Sequence, residues 1–234
     1  MRQFLLVHSP LLGPYSWAPV ADLLRAEGHR VATPDLRSAL TGPPPYYPRL
    51  CDAAVAAAGI PAGDQLTLVG HSAAGPILPA ITEAIGAAVA DVVFMDARLP
   101  YPGSSWLSSI TEERAAQLNA MATDGVLPPW DTWFPAEMIV LEVPDPDVRE
   151  RFTADIRPMP FALCAETAPS STPVFDGIPC SYVQLSKAYD ADAEAAKRAG
   201  WHVVRADSVH LAPLSHPDEV VAALHQALPP ENLA

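Results

Sequence analysis

The chain has 234 residues, of which 50% are hydrophobic, 18% charged and 7% aromatic, the profile of one globular domain able to bury a substantial core. Its 14 Lys and Arg stand against 27 Asp and Glu, a formal charge of −13, and so acidic a surface excludes nucleic acid and membrane surfaces as partners. Proline is over-used, at 27 residues against a usual share of about 5%; among so many apolar residues it punctuates a fold rather than replacing one.

The opening apolar run, Phe4 to Val7, is too short for a signal peptide or a membrane span, and no later stretch reaches about 18 apolar residues. Cys51, Cys164 and Cys180 are scattered and form no CxxC pair, which argues against a disulfide framework and a structural zinc. The expectation is a soluble cytoplasmic protein, monomer or homodimer, that uses neither metal nor cofactor and acts on a small-molecule substrate.

In chain order, apolar or β-branched runs alternate with helix-length segments. Strands are expected at Gln3–His8, Arg30–Thr33, Gln65–Val69, Asp91–Met95, Ser181–Leu185 and Trp201–Arg205. Helices are expected at Trp17–Glu27, Pro48–Ala58, Gly75–Val89, Asp192–Ala199 and Pro217–Leu228. Such alternation predicts an α/β fold, a mostly parallel sheet of about six strands with helices on both faces. Between Leu99 and Pro179 the rhythm breaks for far longer than a crossover needs. Residues 1–98 and 179–234 are therefore expected to form the core, and 99–178 a small helical cap with windows at Thr111–Thr123, Pro135–Val143 and Pro146–Ile156. In open α/β sheets ligands bind beyond the carboxyl ends of the strands, where this insertion begins.

The strongest local signal is Leu66-Thr67-Leu68-Val69-Gly70-His71-Ser72-Ala73-Ala74-Gly75, a strand that enters a small-residue turn and then a helix. A nucleophile exposed on so sharp a turn needs small neighbours, with Ala74 here in the second glycine position of G-x-S-x-G. The amide of the next residue, Ala73, then faces the developing oxyanion. The competing reading of Ser72 is an ordinary helix cap. A nucleophilic serine needs a base, and His210, in Asp207-Ser208-Val209-His210-Leu211, lies between the last strand and the last helix, above the same sheet edge. His216 opens the last helix and reads as a cap.

With a third segment, Leu6-Val7-His8-Ser9-Pro10-Leu11-Leu12-Gly13-Pro14-Tyr15-Ser16-Trp17, the chain resembles the α/β-hydrolase superfamily. Its small-capped esterase and hydroxynitrile lyase group is the nearest in pattern, and the resemblance covers nearly the full length. It implies an α/β-hydrolase fold and an oxyanion loop after the first strand. Two departures stand out. Ser9 replaces the group's glycine, and Pro10 occupies the position whose N–H would meet the oxyanion, which proline lacks. Leu11 N–H or a hydroxyl of Ser9 or Ser16 are the possible substitutes. Ala188 falls about where the group carries its acid, leaving Asp190, two residues on, or Asp96, directly after the fourth strand, as alternatives. Asp190 also reads as the first turn of a helix.

Arg98 lies at the mouth of the site, as an anion binder or the partner of a carboxylate. His8, Tyr15, His71, Trp106, Trp130, Trp133 and Phe134 are candidates for contact with substrate, although aromatic residues so spaced also serve as core. The combined reading is a serine-dependent hydrolase that cleaves an ester or related carbonyl bond of an apolar small molecule. The alternatives are a cofactor-free lyase using Ser72 and His210 as an acid–base pair, and a catalytically silent ligand-binding relative.

Overall fold

A computed structural model describes residues 1–61, 64–169 and 175–229. Six parallel strands form one sheet, β1 (Gln3–Val7), β2 (Arg30–Ala32), β3 (Leu66–His71), β4 (Val89–Met95), β7 (Cys180–Gln184) and β8 (His202–Arg205), in the order β2-β1-β3-β4-β7-β8. The remaining short strands, β5 (Val126–Leu127) and β6 (Met159–Pro160), pair antiparallel within the insertion.

The strands are almost continuously apolar because both faces of the sheet are covered. Alternation sorts their side chains. Leu5, Val7, Leu66, Leu68, Val92 and Phe94 face α2 (Tyr47–Ala58), α3 (Leu78–Ile85) and α8 (Asp190–Arg198). Phe4, Leu6, Val69, Val93 and Met95 face α1 (Ala18–Ala26) and α10 (Pro217–Ala227). The helix expected over Gly75–Val89 is shorter than the pattern suggested. Pro76 and Pro79 lack the N–H that a continuing helix needs, so a 3₁₀ turn at Ser72–Ile77 precedes α3, and Gly86 at φ 71° turns the chain toward β4.

The described part of the 99–178 insertion holds α4 (Glu112–Met121), α5 (Ala136–Glu142), α6 (Pro146–Asp155) and α7 (Phe161–Ala165); residues 170–174 lie outside the described range. Three carboxylates fasten it to the core, Glu142 by accepting the Leu211 N–H at 2.8 Å. Asp155 accepts the Tyr15 N–H at 2.8 Å and pairs with Arg37, while Glu166 accepts the N–H groups of Tyr46 and Tyr47 at 2.7–2.9 Å. A short helix, α9 (Ala212–Ser215), follows His210. Among the described residues no helix is long and apolar enough to cross a membrane.

Candidate active site

β3 ends at His71, and the chain turns so sharply that Ser72 sits at φ 59°, a left-handed conformation uncommon outside glycine. Small residues make the turn possible. A Cβ on Gly75 would lie 1.9 Å from the Arg98 carbonyl oxygen, and one on Gly70 would lie 2.7 Å from the Leu78 side chain. Ala74 is fully buried behind the turn. Ala73 is the second residue of the 3₁₀ turn, where the first N–H groups have no acceptor within the helix, and it lines a cavity.

His210, in the loop after β8, reaches Ser72 with its Nε2 3.1 Å from the serine Oγ. Its Nδ1 lies 2.7 Å from Asp96 Oδ2. This fixes the tautomer, since a carboxylate accepts only: Nδ1–H donates to Asp96, and Nε2 accepts the serine O–H. Asp96 follows β4 at φ 42° and is fully buried. Its Oδ1 accepts the N–H groups of Leu185 and Ser186 at 2.9 and 3.0 Å, and its Oδ2 the Ser186 O–H at 2.7 Å. Burial alone would raise this carboxyl. The donors and charge of His210, with those of Ser186, outweigh it and hold the group below the usual carboxylate range.

Asp190 lies elsewhere. It begins α8 and accepts from the Gln184 side-chain amide, so of the two carboxylates considered for His210 the fold delivers Asp96. The reason is positional: β4 lies next to β3 in the sheet, so its carboxyl end opens beside the Ser72 turn.

Two further rings hold His210. His71 stacks with it at a centroid distance of 4.6 Å and donates Nε2–H to its carbonyl at 3.0 Å. Tyr189 stacks at 5.0 Å and 15°, with its hydroxyl 3.3 Å from Ser72 Oγ. Burial pushes the Tyr189 hydroxyl up to about 12, so it stays protonated. Neither Tyr189 nor Ser186 was legible beforehand. Both lie in the turn after β7, a segment whose sequence signal is its acidic residues.

The loop after β1 departs from the expected arrangement. Leu11 N–H donates to Ser9 Oγ at 3.2 Å and Leu12 N–H to the Ser9 carbonyl at 2.9 Å, while the Ser16 hydroxyl is spent on the Gly13 carbonyl at 2.8 Å. Pro10 and Leu11 line the cavity, and Ser9 is buried outside it.

That cavity, roughly 400 Å³, has Ser72, Ala73, Tyr189 and His210 in its wall. Trp106, Trp130, Trp133 and Phe134 of the insertion and Arg98 of the core also line it, with Tyr47, Tyr101 and Ile110 beside them. Arg98 lies 3.6 Å from Asp192, a carboxylate partner. Three expected substrate contacts lie outside this lining. His8 is fully buried, donating Nδ1–H to the Ser9 carbonyl at 2.7 Å and accepting Leu36 N–H at 3.1 Å, and burial lowers it to about 4. His71 is 1% exposed behind His210 and is lowered to about 3, again by burial first. Tyr15 packs with Leu12 and Phe152 in a separate apolar cluster. All three follow from alternation and loop direction, which turn these side chains away from the sheet's open end.

Residues 4–223 match the family described as "Alpha/beta hydrolase family". The chain belongs to that family. Within it, the chain is 36% identical over 110 residues to esterase PIR7B of Oryza sativa subsp. japonica, 44% of this chain and 41% of the relative. It is 31% identical over 113 residues to polyneuridine aldehyde esterase of Rauvolfia serpentina, 44% of this chain and 42% of the relative. The chain thus spans about two fifths of the length of these curated relatives. Among solved structures, an extracellular α/β-hydrolase from a Paenibacillus species superimposes with a TM-score of 0.78 at 17% identity, covering 97% of this chain and 99% of that one. At that identity the likeness concerns the fold.

Proposed function

We propose that this α/β-hydrolase-family chain is a serine esterase for apolar small molecules, with Ser72 as nucleophile, His210 as base and Asp96 as acid. One observation carries the reading: an unbroken hydrogen-bonded line from Ser72 Oγ through His210 to Asp96, opening on a cavity walled by aromatic side chains. In the reaction, Ser72 Oγ bonds to the ester carbonyl carbon as its proton passes to His210 Nε2, and the carbonyl π pair moves to oxygen. Collapse breaks the bond to the leaving alkoxide, which takes the proton from Nε2. Water, deprotonated by His210 Nε2, then attacks the acyl carbon; collapse breaks the Oγ–acyl bond, Nε2 returns the proton to Ser72 Oγ, and the carboxylic acid leaves. Asp96 keeps Nδ1 protonated and stabilises the imidazolium.

The insertion, residues 99–178, acts as the cap that supplies the apolar walls, and the esterase names of the relatives support the substrate class. The three free cysteines suit a reducing cytoplasm. Incubation with a fluorophosphonate probe, with mass mapping of the adduct, is the test. Labelling of Ser72 in parallel with loss of p-nitrophenyl butyrate hydrolysis is expected, and no labelling of folded protein overturns the reading.

A second reading is favoured by the engaged N–H groups of Leu11 and Leu12. A cofactor-free lyase that uses His210 to move a proton needs less oxyanion stabilisation than acyl transfer. In that case Ser72→Ala retains turnover of the natural substrate while His210→Ala abolishes it.

A further inference from the structure

Acyl transfer needs donors aimed at the oxyanion, and one of the customary two is missing. Ala73 N–H is placed to supply the first. Across from it, Pro10 has no N–H, and the next two amides of the loop are turned to Ser9. The group that stands at the reacting oxygen instead is Tyr189, whose hydroxyl is 3.3 Å from Ser72 Oγ and whose ring lines the cavity. It is held there by the 3₁₀ turn Lys187–Tyr189 leading into α8 and by its stacking on His210. Its burial keeps the hydroxyl protonated and therefore a donor.

We infer that the Tyr189 hydroxyl is the second hydrogen-bond donor to the oxyanion formed at Ser72, in place of the loop amide that Pro10 removes; this rests on the esterase reading above. At rest Ser72 O–H donates to His210 Nε2, and Tyr189 O–H donates to Ser72 Oγ. Once the Oγ–C bond forms, Oγ is an ester-like oxygen and a poor acceptor. The carbonyl oxygen, one carbon away, now carries the charge, and the tyrosine O–H turns to it. No proton is transferred in this step. The leaving oxygen needs no help from Tyr189, because the His210 Nε2–H already faces it.

Tyr189→Phe keeps the ring and its stacking while removing the hydroxyl. Hydrolysis of p-nitrophenyl butyrate and of ethyl butyrate is measured for both proteins, with rates expressed per active site titrated to completion by fluorophosphonate, so that misfolded protein does not count. The expected result is a kcat lower by about 10²-fold with KM little changed, by a similar factor for both esters. Affinity for a trifluoromethyl ketone, which forms the tetrahedral adduct without a leaving group, falls in parallel. A loss confined to ethyl butyrate overturns the inference in favour of leaving-group assistance. Unchanged ketone affinity with a lowered kcat overturns it in favour of a positioning role, and a kcat within about threefold of the parent overturns it outright. A parent protein that hydrolyses neither ester and takes no probe overturns the esterase reading and this inference together, whereas an active parent with an equally active Tyr189→Phe overturns this inference alone.

Discussion

Ser186 donates both its backbone N–H and its hydroxyl to Asp96, the hydroxyl at 2.7 Å to the same Oδ2 that faces His210 Nδ1. A serine in the turn after β7 therefore orients a carboxylate at the end of β4. The arrangement ranks three substitutions. Asp96→Asn is expected to lower kcat for p-nitrophenyl butyrate by about 10³–10⁴-fold, because the amide disfavours the productive tautomer. Ser186→Ala, which leaves two N–H donors on Oδ1, is expected to cost about tenfold. Asp190→Asn, whose carboxylate accepts from Gln184 and not from His210, is expected to stay within about threefold. Steady-state kinetics of the three variants decide the matter, and a large loss in Asp190→Asn with an active Asp96→Asn would reverse the assignment.

The turn that carries Ser72 tolerates no side chain at Gly75. A Cβ there meets the Arg98 carbonyl oxygen at 1.9 Å and the Arg98 carbonyl carbon at 3.1 Å, both backbone atoms that no rotamer change can move aside. The Arg98 N–H also donates to the Ser72 carbonyl at 3.1 Å, so a displaced Arg98 pulls on Ser72 itself. Gly75→Ala is expected to lose more than about 90% of activity and to unfold at lower urea than the parent, by about 1–3 kcal/mol. Wild-type kinetics together with a wild-type urea midpoint would show that the segment has room to shift.

These positions mark what was legible in the sequence and what was not. The Gly70-to-Gly75 segment reveals its strand and the sharp turn at Ser72 because each small residue answers a local steric demand. His210 is legible from chain order alone. The choice between Asp96 and Asp190 is not, because it depends on strand adjacency: β4 lies beside β3, and only the assembled sheet puts Asp96 under His210. Tyr189 is hidden for a similar reason, since its contact with Ser72 joins residues 117 positions apart. The two-residue strands β5 and β6 are too short to leave any periodic trace. His8, one residue past β1, and His71, the last of β3, border the loops that shape the site, yet both rings turn into the protein.

Glu166 replaces a missing helix cap. α2 begins after Pro43-Pro44-Pro45-Tyr46, which offers no Ser, Thr, Asp or Asn to accept the first N–H groups, and no local side chain caps it. The carboxylate arrives from the insertion, accepting from Tyr46 N–H at 2.7 Å and Tyr47 N–H at 2.9 Å, where the positive end of the helix dipole also favours it. Glu166→Ala is expected to cost about 1–2 kcal/mol, and Glu166→Gln less, since its amide oxygen still accepts. For a chain of this size each kcal/mol lowers Tm by about 2–4 °C. Differential scanning calorimetry checks the ranking, and equal Tm values for Ala, Gln and parent would show that the contact contributes nothing.

The two buried histidines make the fold sensitive to mild acid. Burial lowers His8 to about 4 and His71 to about 3, against an ordinary value near 6.5. Below about pH 6.5 the unfolded chain takes up protons at both positions, while the folded chain refuses them until the pH approaches those lowered values. Stability therefore falls as pH drops through that window, by at most about 1.4 kcal/mol per unit for each histidine. The Asp96 carboxylate adds to the loss in the same direction but lower down: its folded value lies below the ordinary 3.8, so its contribution is present above that value and fades beneath it. Urea midpoints measured at pH 7, 6 and 5 are expected to decline progressively. His8→Gln, which keeps one acceptor for Leu36 N–H and one donor for the Ser9 carbonyl without a titrating group, is expected to flatten that decline by about half even if it lowers the midpoint at pH 7. A parent whose midpoint is the same at pH 7 and pH 5 would mean that both rings accept a proton within the fold, and His71 would then be a cation stacked against His210.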